Sequence, residues 1–309
     1  MKTISFSEKE FLCQQAFDSH GPYWHIATPG AATEILFTNT ADYCFGMNLV
    51  AESQYLCGVK SYSFSLMSNH LHNIVEAVRI QNCLDFLEHY SKRFLRYAKR
   101  TGRFLNLDGF VCDPIPIDNL QSLRNNMVYV DRNAYVVNSA LTPYSHPWGS
   151  GFLYFGYNPT LMATVPFSSL PLEEKRRMMH TRTCHFPDYY SVRNGIIAPE
   201  SFVEWKIGRS FFRDAHQFFN LLTKNRESYA EFGALYGDRI VLTDEEMYSA
   251  TVALAQKSFQ KASLKELLPE QKVELARKIH FDYKANNAQI FRILKLDKPL
   301  LNELFPTAQ

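Results

Sequence analysis

The sequence predicts an α+β protein: a ferredoxin-like antiparallel sheet with helices packed on one face, followed by an all-α C-terminal region that ends in a helix-turn-helix. Three observations carry this. Segments of strand, helix, strand, strand and helix character follow one another over residues 23–100, the order of a small sheet with helical crossovers. The span 61–77, SYSFSLMSNHLHNIVEA, alternates Tyr62, Phe64 and Leu66 before a Ser68-Asn69 turn and supplies Leu71, Ile74 and Val75 after it, which reads as a hairpin with buried bulk. Beyond residue 243 the periodicity is helical throughout.

The elements follow in order. Tyr23 to Thr28 (YWHIAT) is the first expected strand, closed by Pro29-Gly30, and Glu34 to Phe37 is a short extended piece. A helix is expected from about Thr40 to Glu52, where Tyr43, Met47 and Val50 recur at helical spacing behind a Thr/Asn cap signal. The hairpin follows, then a long helix from about Asn82 to Arg100 with Leu84, Leu87, Phe94 and Leu95 on its apolar face, stopped by Gly102. After the connector VCDPIPID, another helix covers roughly Leu120 to Arg132. The span 152–198, rich in proline, reads as a connector wrapping the first domain. Two helices are expected at about Pro199 to Trp205 and Gly208 to Ser228, the second strongly apolar on one side. Thr243 with Glu246 forms a capping box opening a helix to about Lys261, and Pro269 starts another to about Tyr283. Asn287 to Leu296 and Lys298 to Phe305 then flank a tight Leu296-Asp297 turn, so the last three helices read as a helix-turn-helix. Three regions result: 1–151, 152–242 and 243–309.

Bulk properties exclude some classes. Of 309 residues, 46% are hydrophobic and 21% charged, a balance that buries sizeable cores and argues against disorder. No window has the apolar length of a membrane span, and MKTISFSEKEF lacks a signal peptide's apolar run. A cytoplasmic protein without a membrane partner is expected. Six cysteines contain no C-x-x-C pair, so their expected role is reduced packing. His180, Cys184 and His185 loosely suggest zinc, but a fourth ligand is missing and packing is the expectation.

Several residue sets carry possible chemistry. His70 and His72 are two apart, so on an extended chain they point the same way, with Leu71 and Ile74 expected on the other side; together they can grip one metal ion. On spacing alone they are equally two partly exposed sheet histidines. Lys92, Arg93, Arg96, Lys99, Arg100 and Arg103 have no acidic residue among them and interleave with Tyr90, Phe94 and Tyr97. That suits a phosphate backbone, or a solvated helix face. Tyr129 and Asn133 sit four apart and share a helix face, the phenol available as a nucleophile and the amide oxygen as a metal ligand. A phenol with an unperturbed pKa of about 10 needs a nearby cation to act at neutral pH. In the C-terminal region Lys298 and Asn302 are the polar side chains of the short reading helix, which serves equally for packing or dimerisation.

Met67-Ser68-Asn69-His70-Leu71-His72 resembles the Met-Pro-Asn-His-x-His signature of the HUH single-tyrosine transposases, in their REP-associated tyrosine transposase branch. In the same order, Tyr129-Val130-Asp131-Arg132-Asn133-Ala134 resembles that family's Tyr-Ile-x-x-Asn-Pro motif, and Tyr144 to Ser150 (YSHPWGS) its Tyr-x-x-Trp-Ser-Ser segment. The match spans roughly Tyr23 to Gly151. Ser68, Ala134 and Gly149 replace a proline, a proline and a serine of the pattern; Ala134 lets a helix continue past Asn133. The resemblance implies an HUH endonuclease fold for residues 1–151, with His70 and His72 as metal ligands, Asn133 as a third ligand and Tyr129 as the nucleophile. It also implies Mg or Mn as cofactor, single-stranded, hairpin-forming DNA as partner, and a 5′-phosphotyrosine intermediate in DNA nicking and rejoining. Family members act as monomers and as dimers, so a homodimer stands among the expected states. Two other classes remain open at this stage: a catalytically idle relative that regulates by binding DNA, and a ferredoxin-like RNA-binding protein.

Overall fold

The computed structural model describes residues 5–30, 35–137, 146–156, 162–181, 186–224, 244–283 and 285–306. The chain is α+β. Its N-terminal region opens with a helix that the sequence reading passes over, α1 (Phe6–Asp18), started by a reciprocal cap in which Ser5 Oγ accepts from Glu8 N and Glu8 Oε2 from Ser5 N. Strand β1 (Tyr23–Ala27) leads to α2 (Thr40–Cys57), capped by Asn39 and ended by Gly58 at φ 65°. Strands β2 (Lys60–Leu66) and β3 (Leu71–Glu76) form the hairpin, and α3 (Ile80–Arg100), β4 (Ile115–Ile117) and α4 (Leu120–Val137) follow. The sheet order is β2-β3-β1-β4, antiparallel at every pairing.

The expectation of helices on one face is corrected. Strand register places Tyr23, His25, Ser63, Ser65, His72 and Ile74 on one face and Ile26, Phe64, Leu66 and Leu71 on the other. Ile74 therefore shares the His72 face, as strict alternation requires, and does not join Leu71. The Leu66 face receives α2 and α3, where Gly46 sits close to Leu66 and Tyr90. The His72 face is covered by α4, whose Asn126, Tyr129 and Asp131 meet His25, His72 and Ser63. Both β2 and β3 are buried along nearly their whole length, so a single helical layer would leave one apolar face wet.

The next region belongs to the same core. A short sheet of β5 (Val165–Pro166), β6 (Ser191–Arg193) and β7 (Ile196–Ile197), with α5 (Leu172–Met179) between β5 and β6, lies against α2, where the Asn48 side chain bonds Ile197 N and Gly195 O. Helices α6 (Trp205–Ser210) and α7 (Ala215–Lys224) replace the single helix expected from Gly208, because Asp214 Oδ1 accepts from Gln217 N and starts a new one. Side chains from Cys13 to Leu222 form one continuous apolar core.

Four C-terminal helices, α8 (Asp244–Phe259), α9 (Pro269–Tyr283), α10 (Asn287–Leu294) and α11 (Lys298–Leu304), build a second core. Thr243, expected to cap the first of these, lies outside the described residues. Asn286 caps α10, and Lys295 at φ 55° ends it before α11. Met67, at the turn of the hairpin, also enters this second core. No helix of the described residues is long and apolar enough to cross a membrane.

Candidate active site

The hairpin turn closes through Met67 N donating to His70 O at 2.8 Å, which leaves His70 just before β3 and His72 within it. Both imidazoles are fully buried, with ring centroids 4.9 Å apart and planes at 89°. Each ring is held by its Nδ1. Asn69 donates from Nδ2 to Gly30 O at 2.6 Å, so its Oδ1, 2.8 Å from His70 Nδ1, can only accept. His70 therefore carries its proton on Nδ1 and its lone pair on Nε2.

The second ring is fixed by a longer chain. Asn126 donates from Nδ2 to Ser122 O at 2.9 Å and accepts at Oδ1 from His25 Nδ1 at 2.8 Å. With His25 neutral, its Nε2 is an acceptor, and it lies 3.1 Å from His72 Nδ1. His72 then donates from Nδ1 and likewise presents its Nε2 lone pair. Outer partners of this kind set the tautomer and orientation of ligating histidines.

Helix α4 carries the other two predicted residues and brings Tyr129 against the histidine pair. The Tyr129 ring is 5.4 Å from the His72 ring and 6.1 Å from the His25 ring, edge-on to both. Asn133, fully buried, follows one turn later, about 6 Å along the axis. α4 continues to Val137, past Asn133, as Ala134 in place of proline allows. Residues 146–150 of the third motif run along the outer edge of β2: Leu66 N bonds Trp148 O and Ser150 N bonds Phe64 O. Gly149 stands where the family pattern has serine, and a Cβ there would come within 2.8 Å of Phe64 O; the close approach needs glycine. Trp148 stacks on Tyr43 at 4.8 Å, and His146 donates from Nε2 to Leu66 O while burial pushes it down to about 4. Tyr144 lies outside the described residues.

Two residues after Tyr129, Asp131 is buried and, among the described residues, accepts only from Ser63 Oγ, at 2.7 Å on Oδ1. Burial pushes its carboxyl up to about 7.

Among the described residues no group of three or more His, Cys, Asp or Glu side chains converges on a metal position. The histidine pair itself offers two imidazoles. Two Nε2 lone pairs pinned from behind fit a divalent ion that keeps open positions for water or phosphate.

The basic helix lies across the sheet from this site. Arg93 pairs with Glu52 at 3.0 Å and donates to Met179 O; Arg103 pairs with Asp42 at 2.6 Å and donates to Ile35 O and Leu36 O. Both are therefore committed to holding α3 and its following turn in place. Lys92 pairs with Glu88 one turn earlier, and Arg100 donates to His180 O. Arg96 and Lys99 are exposed. His180 packs its ring on Phe45 and Tyr97, while Cys184 and His185 lie outside the described residues. On α11, Lys298 is exposed with its amine 5.3 Å from the Phe291 ring centre, and exposed Asn302 accepts from Asn287 at 3.1 Å.

His25 and Asn126 are absent from the sequence-based site, yet both left a signal. His25 is the one imidazole in a strand that otherwise carries apolar residues and the rings of Tyr23 and Trp24, and Asn126 precedes Tyr129 and Asn133 by three and seven residues, the spacing of one helix face. Compared with family models, with curated proteins and with solved structures, the chain matches none.

Proposed function

We propose that this chain is a metal-dependent endonuclease and strand transferase for single-stranded, hairpin-forming DNA, of the HUH single-tyrosine transposase type. The observation that carries the reading is the pinned pair His70 and His72 with Tyr129 against it on the neighbouring helix. The β-α-β-β-α-β connectivity with sheet order β2-β3-β1-β4 supports the ferredoxin-like frame of that fold.

His70, His72 and Asn133 would hold the ion, Mg or Mn, whose contribution when bound is to neutralise charge building on a scissile phosphate. Asn69, His25 and Asn126 keep the two imidazoles in their ligating tautomer. The Tyr129 oxygen forms a bond to phosphorus as the phenol gives up its proton, and the P–O3′ bond breaks with the 3′-oxygen leaving as a hydroxyl. The resulting 5′-phosphotyrosine stores the bond, and attack by another 3′-hydroxyl reverses the exchange without a nucleotide cofactor. On this reading Arg96 and Lys99 contact phosphates on the far face of the sheet, and the last three helices, Lys298 and Asn302 included, form a helix-turn-helix.

One observation favours the catalytically idle DNA-binding regulator: His70, His72, Tyr129 and Asn133 are all buried, so a DNA strand reaches them only if the surrounding segments part. An RNA-binding protein that stacks bases on its sheet needs an open strand face, and helices cover both faces here. Incubation with a hairpin-bearing single strand and Mn separates the readings. The transferase gives a covalent protein–DNA adduct that Tyr129→Phe abolishes; the regulator binds without one.

A further inference from the structure

Helix α3 ends on a turn that leaves a bare aromatic ring beside uncancelled positive charge. Gly102, at φ 79°, reverses the chain, its N–H donating to Lys99 O and the next one, of Arg103, to Ala98 O. Phe104 follows and is 87% exposed; among the described residues no large apolar side chain is more so. The turn itself is anchored on both sides of the ring. Arg103 pairs with buried Asp42 at 2.6 Å, Leu105 packs against the core and Leu107 lies within it.

The charge around the ring is one-signed. No Asp or Glu lies between Glu88 and Asp108 in the chain, a span with six Lys and Arg. Three of these are answered by acids: Lys92 by Glu88, Arg93 by Glu52 and Arg103 by Asp42. Arg96, Lys99 and Arg100 are exposed. Among the described residues none of the three has an acid partner, and the bond from Arg100 to His180 O, a neutral carbonyl, leaves the guanidinium charge in place. Lys99 and Arg100 follow Arg96 by three and four residues, so the three are neighbours on the helix surface, a row of donors for phosphates. Carbonyls at a helix C-terminus repel an anion, but here Tyr97 O, Ala98 O and Lys99 O already accept from Thr101, Arg103 and Gly102.

The same turn is tied to the histidine hairpin. Arg103 donates to Ile35 O at 3.0 Å and Leu36 O at 2.7 Å, while Leu36 N and Phe37 N donate to Ser68 O at 2.8 and 3.0 Å, two residues before His70. A single residue, Leu36, thus bridges the turn before Phe104 and the turn before His70.

We infer that the C-terminal end of α3 is a contact for single-stranded DNA, in which Phe104 stacks on one unpaired base while Arg96, Lys99 and Arg100 take the flanking phosphates. The identity of the ligand rests on the single-stranded DNA reading above. Stacking on a ring tolerates any base, so this contact adds affinity without sequence preference. A lipid surface fits less well. It takes a continuous apolar face, and the helix surface beside this one ring is charged.

Fluorescence anisotropy on the full chain tests the contact, with short labelled oligo(dT) and with the same strand built of abasic residues, which keeps the phosphates and lacks the bases. Phe104→Ala removes an exposed ring and leaves the fold intact; it is expected to weaken oligo(dT) binding about 10-fold, the loss typical of one stacked base, and to leave the abasic strand unaffected. Arg96→Ala and Lys99→Ala are expected to weaken both strands alike. Equal affinity of the wild type and Phe104→Ala for oligo(dT) overturns the contact, as does an equal loss on both strands, or Phe104-dependent binding to phosphatidylserine vesicles in place of oligo(dT). Tighter Phe104-dependent binding of oligo(rU) than of oligo(dT) overturns its assignment to DNA. The two readings fail separately. Adduct formation at Tyr129 with binding indifferent to Phe104 removes only the contact, and Phe104-sensitive binding without an adduct removes only the nuclease.

Discussion

Replacing His25 is the sharpest perturbation of the candidate metal pair, because His25 touches one ligand from behind. His25→Leu deletes the acceptor of His72 Nδ1 and the donor to Asn126 Oδ1, at a side chain fully buried. Two buried polar groups lose these partners, at roughly 1–3 kcal/mol each, so the fold loses about 2–6 kcal/mol. Metal affinity falls separately, because His72 is released from its tautomer and orientation; loss of an outer partner typically costs about 10- to 100-fold. His25→Gln provides the control, since a glutamine carbonyl reaches about as far as an imidazole Nε2 and still accepts from His72. Titration calorimetry with Mn, on variants shown to be folded by circular dichroism, gives the affinity order wild type, then Gln, then Leu. Imidazole nitrogen shifts in NMR report the His72 tautomer directly, with the proton on Nδ1 in the wild type. Equal Mn affinity for all three proteins, or a proton found on His72 Nε2, refutes the orienting chain.

Other outcomes follow from the remaining contacts. Arg103→Ala uncovers buried Asp42 and frees two backbone carbonyls, so it is expected to destabilise by about 3–5 kcal/mol in urea unfolding, whereas Arg96→Ala and Lys99→Ala change stability by no more than about 0.5 kcal/mol. If α3 meets phosphates, those two exposed variants each lower the salt slope of DNA binding by about one. Burial raises the Asp131 carboxyl to about 7 in the fold, so the native state binds more protons than the unfolded chain between about pH 4 and 7, and the stability this carboxyl contributes falls as pH rises through that window. Asp131→Asn removes the dependence: relative to wild type it gains stability from pH 4 to 7, roughly 4 kcal/mol at most, and the gain levels off above pH 7. Parallel pH-stability curves for the two proteins contradict the buried protonated carboxyl.

How much of this was legible in the sequence differs by region. Period-2 and helical patterning located β1, β2, β3, α2 and α3: large apolar side chains alternate at Tyr62, Phe64 and Leu66, α3 has one apolar and one charged face, and α2, buried along most of its length, was marked by its Asn39 cap and helical spacing of apolar residues. The cover on the His72 face was not legible, since burial of both sheet faces comes from tertiary packing and Ser63, Ser65 and His72 read as polar. α1 carried its signal in Ser5 and Glu8, a capping box with weak amphipathicity behind it. The pairing of Tyr129 with the histidines came from a resemblance between motifs; the residues themselves show only which helix face they share. His25 and Asn126 were missed because an outer partner is defined by contact across 47 and 101 residues of chain, which spacing does not encode. Arg93 and Arg103 stand in a basic run, yet their guanidinium groups answer acids on other elements, so a charge count overstates the surface left for DNA.

The central claim is that Tyr129 attacks a DNA phosphate beside the His70 and His72 pair. Denaturing gel analysis of a 3′-labelled hairpin single strand incubated with the full chain and Mn tests it in one lane. The account predicts a protease-sensitive, slow-migrating band that carries the label through a 5′-phosphotyrosine bond and is lost in Tyr129→Phe and in His70→Ala with His72→Ala. No such band from the wild type, or a band that survives Tyr129→Phe, contradicts it.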